Sequence, residues 1–292
     1  MIKKAIFLLL IGLIHFGGSA QTQDTTKNFQ KRKKLLQYGS ATAYTLSMVG
    51  LKQLWYNDFE QTSFHTVNDN DQWLQLDKVG HAYSSYALGI FAIEAMQWAG
   101  YDSRKSVLIG GSSGLLFLTT VELFDAYSAE WGFSWGDIIA NSSGVALLIG
   151  QEMLFDRQIV RLKYSYQNTR FSELRPEVFG SNTLESAFKD YNGQTYWASM
   201  NLSSVYKPFP VKWLNVAFGY GGEGMLIGEI ESELNEKVYR QYYLSFDIDF
   251  EQFSTTKPWK KTAAKVLNCI KVPFPTVEWS KANSPRFHWL YF

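Results

Sequence analysis

The stretch Arg240-Gln241-Tyr242-Tyr243-Leu244-Ser245-Phe246-Asp247-Ile248-Asp249-Phe250 alternates strictly in character. On an extended chain Tyr242, Leu244, Phe246, Ile248 and Phe250 point one way. Gln241, Tyr243, Ser245, Asp247 and Asp249 point the other. A period of two is the mark of a half-buried strand. Weaker alternation covers residues 195–206, 211–220, 276–280 and 286–292, and a short helical stretch is expected over 262–270. Gly219, Gly221, Gly222 and Gly224 read as a turn between strands; no helix follows them, so they lack the setting of a phosphate-binding loop. Residues 161–292 are therefore expected to form an antiparallel β-rich domain. The run ending in Phe292 has the aromatic look of an outer-membrane strand, but five strands fall short of the minimum for a lipid-facing barrel. The expectation is a soluble sheet whose apolar face packs on the helices.

Upstream the period changes to that of a helix. Four helix-like segments, 35–56, 77–99, 104–127 and 136–155, carry long uncharged runs rich in small residues, such as Gly110-Gly111-Ser112-Ser113-Gly114 and Ser142-Ser143-Gly144. Small residues let helix backbones approach closely. The predicted fold class is α+β, with an N-terminal four-helix bundle over 35–160 followed by the β-rich part. Asp77 and Ser103 are expected N-caps, and Gly100 a helix stop.

The chain has 292 residues, of which 46% are hydrophobic and 16% aromatic, with a formal net charge of +1 and one cysteine. That balance excludes a disordered tail and a disulfide scaffold, and gives no electrostatic footprint for nucleic acid. Lys3 and Lys4, an apolar run from 5 to 16 and small residues up to Ala20 describe a signal peptide over 1–20. Residues 21–34 read as a polar linker ending in Lys31-Arg32-Lys33-Lys34. No cysteine follows Ala20, so no lipid anchor is expected there, and Cys269 is expected to be a buried structural residue. The expected location is the periplasm or outer membrane, with an integral inner-membrane protein as the alternative. The uncharged helical runs are shorter than the 18 or more residues that argue for a span. In an up-down-up-down bundle Lys31–Lys34, Arg104, Lys105, Arg157, Arg161 and Lys163 share one end. That basic end is expected to rest on an anionic membrane surface or on envelope components.

The same topology gathers polar residues at the other end. Asp77 and His81 share a helix face, as do Glu122 and Asp125, and Asp137 and Asn141. Lys78 is a candidate counter-ion for Glu122 and Asp125, whose place at a helix C-terminus is electrostatically unfavourable. Trp55, Trp73, Trp131 and Trp135 are available to close that end. His81 with Asp77, Glu122 and Asp137 is a donor set suited to zinc or manganese. The alternatives are a buried polar network, a small-ligand site, and a metal-dependent hydrolase acting on a substrate such as a lipid phosphate. A phosphatase would want a second histidine and arginines near the cluster; His65 and His288 have no matching partners in sequence.

The set Asp77-Lys78-x-x-His81, Glu122-x-x-Asp125 and Phe133-Ser134-x-x-Asp137-x-x-x-Asn141-x-x-Gly144 resembles the YfiM-type family of predicted periplasmic lipoproteins. It is also similar to the VanZ-like membrane family. The resemblance covers residues 75–150 and implies an envelope location with no established activity.

Overall fold

The computed structural model describes residues 26–57, 59–253 and 256–292. The signal peptide expected over 1–20 lies outside the described residues. The two grammars of the sequence become two units. One takes the described residues of Met1–Val67, Ser84–Leu154 and Ser254–Val266; the other takes Asn68–Tyr83, Phe155–Phe253 and Leu267–Phe292.

The helical unit holds α1 (Thr26–Leu51, continued by a π turn over Lys52–Tyr56), most of α2 (Leu76–Trp98), α3 (Ser103–Asp125), α4 (Trp135–Phe155) and most of α5 (Pro258–Leu267). The run Lys31–Lys34, expected in a linker, lies inside α1. Gly100 ends α2 as expected. At φ +83° its N–H reaches Gln97 O at 3.0 Å and the N–H of Tyr101 reaches Met96 O at 3.1 Å, the paired bonds of a Schellman stop. Asp102 rather than Ser103 caps α3, accepting the Lys105 N–H at 2.9 Å. Within this unit helix contact runs through small residues. A Cβ on Gly114 would stand 2.2 Å from Ser85 O, one on Gly89 2.8 Å from Gly111 O, and one on Gly110 2.8 Å from Ile93 N. Tyr44 ties α1 to α3 by a 2.5 Å hydroxyl bond to Thr120. Residues 60–67 and 126–134 zip together through a parallel pair, β1 (Thr66–Val67) on β2 (Phe133–Ser134).

Two helices, Ser103–Asp125 and Trp135–Phe155, are long and apolar enough to cross a membrane by length and composition. Counting only unbroken uncharged runs understated them, because a lone charge interrupts a run without making the helix polar. Core helices of soluble proteins pass the same test.

The second unit is an antiparallel meander of six strands in sequence order. They are β3 (Val160–Tyr166), β4 (Gln194–Asn201), β5 (Leu214–Glu223), β6 (Tyr239–Ile248), β7 (Phe274–Ser280) and β8 (Arg286–Tyr291). β3 lies where the end of the bundle was expected. Its outer edge is bridged by the segment before β7: Tyr164 N–H reaches Cys269 O at 3.0 Å and Lys271 N–H reaches Tyr164 O at 2.9 Å. Three of the four turn-like glycines are strand residues of β5. Gly219 lies under the Trp197 ring, where a Cβ would come within 2.8 Å, and Gly222 lies under Leu74. Only Gly224, at φ +93°, serves the turn.

The burial of the sheet reverses the expectation. Gln241, Tyr243, Ser245 and Asp247 of β6 are buried, while Tyr242, Leu244 and Phe246 are exposed. The polar side faces inward on the other strands too, where Arg161, Lys163, Ser199, Asn215, Thr276 and Glu278 are buried. Lys163 and Asp247, both 0% exposed, pair at 2.7 Å. Asp247 also accepts the Ser199 hydroxyl at 2.6 Å, and the Lys163 ammonium reaches Ile248 O at 2.8 Å. Arg161 pairs with Asp249 and Glu251. Arg161 and Lys163 are therefore interior residues and not part of a basic membrane-facing end. Tyr291 of β8 packs on Tyr243 (4.5 Å between ring centres) and Trp197, so an aromatic cluster joins the polar interior. Residues 73–83 cover part of the outer side of β3–β5: Leu74, Leu76, Tyr196 and Met225 form a core there. Cys269 is buried as expected, and burial pushes its thiol up to about 12.

Two predictions follow from these contacts. Gly114→Ala forces apart backbones that now touch and is expected to cost about 1–3 kcal/mol. Gly150→Ala, with nothing within 4 Å of the new Cβ, is expected to gain about 0.5–1 kcal/mol. Thermal melts of both variants against the wild type check the pair. Lys163→Met strands a buried carboxylate and is expected to cost about 3–5 kcal/mol in denaturant unfolding. Replacing both partners, Lys163→Met with Asp247→Leu, is expected to recover much of that loss.

Candidate functional site

The first turn of α2 follows a backbone held in an unusual shape. Trp73, Leu74 and Gln75 have φ values of 47°, 53° and 63°. Left-handed geometry costs L-residues roughly 1–2 kcal/mol each. It is fixed by bonds on every side: Trp73 N–H to Gly228 O at 3.0 Å, the Tyr220 hydroxyl to Leu74 O, and Gln75 Nε2 to Asn70 O at 2.8 Å. Strain of this kind persists only where the surroundings impose it. Asp77 and Lys78 come directly after it, in the first turn of the helix. Asp77 is thus inside α2 rather than its cap. Lys78 bridges Asp77 at 2.8 Å and Asp69 at 2.7 Å, so Asp69 is a partner that sequence spacing did not reveal.

Glu122 and Asp125 end α3. Glu122 is 1% exposed, and its Oε2 accepts the Ser134 N–H at 3.1 Å. Ser134 precedes α4, and its hydroxyl accepts the Asp137 N–H at 3.2 Å. One serine therefore links the carboxylate of one helix to the first turn of the next. The positive end of the α4 dipole offsets the poor place of Glu122 at a helix C-terminus. Ser134-x-x-Asp137 is a capping signature that sequence reading had in view and could have promoted. Asp125 accepts the Tyr56 hydroxyl at 2.7 Å. Burial, and then the Asp125 and Glu122 charges, push that phenol far above its ordinary value. Nothing in the sequence around Tyr56 signals this role.

The level of the three helices is set by Ser85. Its hydroxyl donates to Asn141 O at 2.9 Å, and its carbonyl is the atom facing Gly114. From that crossing Asp137 is one turn back along α4 and Glu122 two turns onward along α3. At 1.5 Å per residue these steps are about 6 and 12 Å.

The tryptophans divide. The Trp131 ring packs on Phe59 and Tyr56, at 4.7 and 5.4 Å between centres, and its carbonyl is 2.6 Å from His65 Nε2. Trp73 packs on Tyr191 and Phe179 in the sheet unit, and Trp135 is exposed. The Trp55 side chain lies outside the described residues. His288 pairs with Glu278 at 2.7 Å, inside the sheet.

Residues 64–150 match the family described as Predicted periplasmic lipoprotein (DUF2279). No curated protein and no solved structure matches the chain. The matched span begins just before β1, runs into α4 and contains all seven residues of the polar cluster, Asp77, Lys78, His81, Glu122, Asp125, Asp137 and Asn141. The family is one of unknown function, and its description agrees with an exported protein.

Proposed function

We propose that the protein is a periplasmic-side envelope protein whose helical unit binds a divalent cation through Glu122 and Asp137, with His81 of the same sequence cluster as the candidate nitrogen ligand. One observation carries this reading: within the helical unit a ligand atom of Glu122 and one of Asp137 lie within 4.8 Å of each other, and both carboxylates are buried. Zinc bound tetrahedrally to nitrogen and oxygen at 2.0–2.2 Å spaces its ligands by about 3.4 Å, so a small contraction closes the site. The donor chemistry agrees, since one imidazole and two carboxylates suit zinc or manganese. The electrostatics agree as well. Two carboxylates this close in a buried place repel each other, and a cation between them removes that repulsion. Asp77 is the fourth sequence candidate; within its own unit Lys78 bridges it to Asp69.

The test is metal content and thermal stability of the purified protein. The expected result is close to one equivalent of zinc or manganese, removed by a chelator and absent from His81→Ala. Re-addition at a hundred times the dissociation constant is expected to return about 2.7 kcal/mol of stability. A wild-type protein that holds no metal and gains no stability from zinc or manganese overturns the proposal. A fall in melting temperature for His81→Ala in that case identifies the cluster as a structural network.

A further inference from the structure

The outer face of β5–β8 carries exposed apolar side chains. Cross-strand register joins Leu162, Ala198, Phe218, Leu244, Val277 and Phe287 into one row across all six strands. On one side of it runs Met200, Val216 and Phe246. On the other run Tyr242 and Trp279, beside Tyr220, which packs under Leu74; beyond them stands Arg240 opposite Gly222, bonded to the Tyr220 hydroxyl at 3.0 Å and to Gln75 at 2.6 Å. Phe218 and Phe287 are each 54% exposed and Phe246 48%. No charged residue interrupts the rows.

We infer that this face lies in the hydrocarbon of a lipid bilayer. A sheet made for water hides its apolar side and wets its polar side; here the polar side is closed inward and its charges are paired. The outside is graded, with aliphatic and phenylalanine rows first, then a tyrosine and tryptophan row, then arginine. That order follows the polarity of a leaflet from hydrocarbon through the interface to the headgroups. From Tyr242 to Ile248 the β6 strand rises about 20 Å, more than the roughly 15 Å hydrocarbon depth of one leaflet. A second copy of the chain would accept the apolar rows, but it gives no reason for the graded order.

The test uses the full chain in a Cys269→Ala background, with Leu244→Cys, Val277→Cys or Leu234→Cys carrying an environment-sensitive fluorophore. Leu234 is exposed in the loop between β5 and β6 and serves as the aqueous control. Each protein is mixed with phosphatidylethanolamine–phosphatidylglycerol vesicles, with and without bromine on the acyl chains. The expected result is quenching of about twofold or more at 244 and 277 and none at 234. Equal emission at all three positions overturns the inference, as does a lipid-free dimer that protects 244 and 277 and ignores vesicles. The unlabelled Leu244→Lys/Val277→Lys variant guards against misfolding. With wild-type circular dichroism it is expected to float with vesicles at least about tenfold less; flotation equal to wild type overturns the inference.

Discussion

At Gly114 the backbone of α3 lies against the Ser85 carbonyl, at a distance no side chain fits. Much of the helical unit depends on that approach. It fixes how far α2 sits from α3, and the Ser85 hydroxyl then fixes α4 through Asn141. Once three helices are keyed at one level, the residues a turn or two away have little freedom in height. The acids at the end of α3 and the start of α4 follow from this level, and Ser134 joins them. A larger residue at the crossing would move the acids as a group, because packed helices shift as rigid bodies rather than bend side chain by side chain.

The sheet obeys a different constraint. Its buried side is polar, so its order comes from directional bonds rather than from apolar area. Slipping β6 by one residue would carry Asp247 outward and Phe246 inward, breaking the pair with Lys163 and the bond from Ser199. Buried ion pairs add little net stability, but a misplaced charge is costly. The interior network therefore specifies register more than it adds strength.

The sequence told its periodicities truthfully. The four long helices fall within a few residues of where hydrophobic spacing placed them, apart from α1, which starts nine residues earlier than its expected 35 because the basic run Lys31–Lys34 is helical. Alternation found β4 to β8, while β3 escaped because its inward residues are Arg161, Lys163 and Ser165, which read as a charged helix end. Alternation also cannot say which of two faces is covered, and the ordinary rule that apolar means inward gave the wrong side. Of the candidate site, the helix ends bearing Glu122, Asp125 and Asp137 were legible. Tyr56, Asp69 and Ser85 were not, since each acts through contacts between segments far apart in the chain.

The meander has a consequence in time as well as in space. Each strand pairs with its neighbour in sequence, so the sheet can be built by successive neighbour pairings, although the connections differ widely, 27 residues from β3 to β4 against five from β7 to β8. The interior is not sealed by that growth alone. Tyr291 of β8 supplies the ring against Trp197 and Tyr243 and reaches Thr195 at 3.2 Å. Until β8 docks, Trp197 and Tyr243 lack the ring that packs against both. A cluster drawn from β4, β5, β6 and β8 thus closes only when strands distant in the meander have all paired.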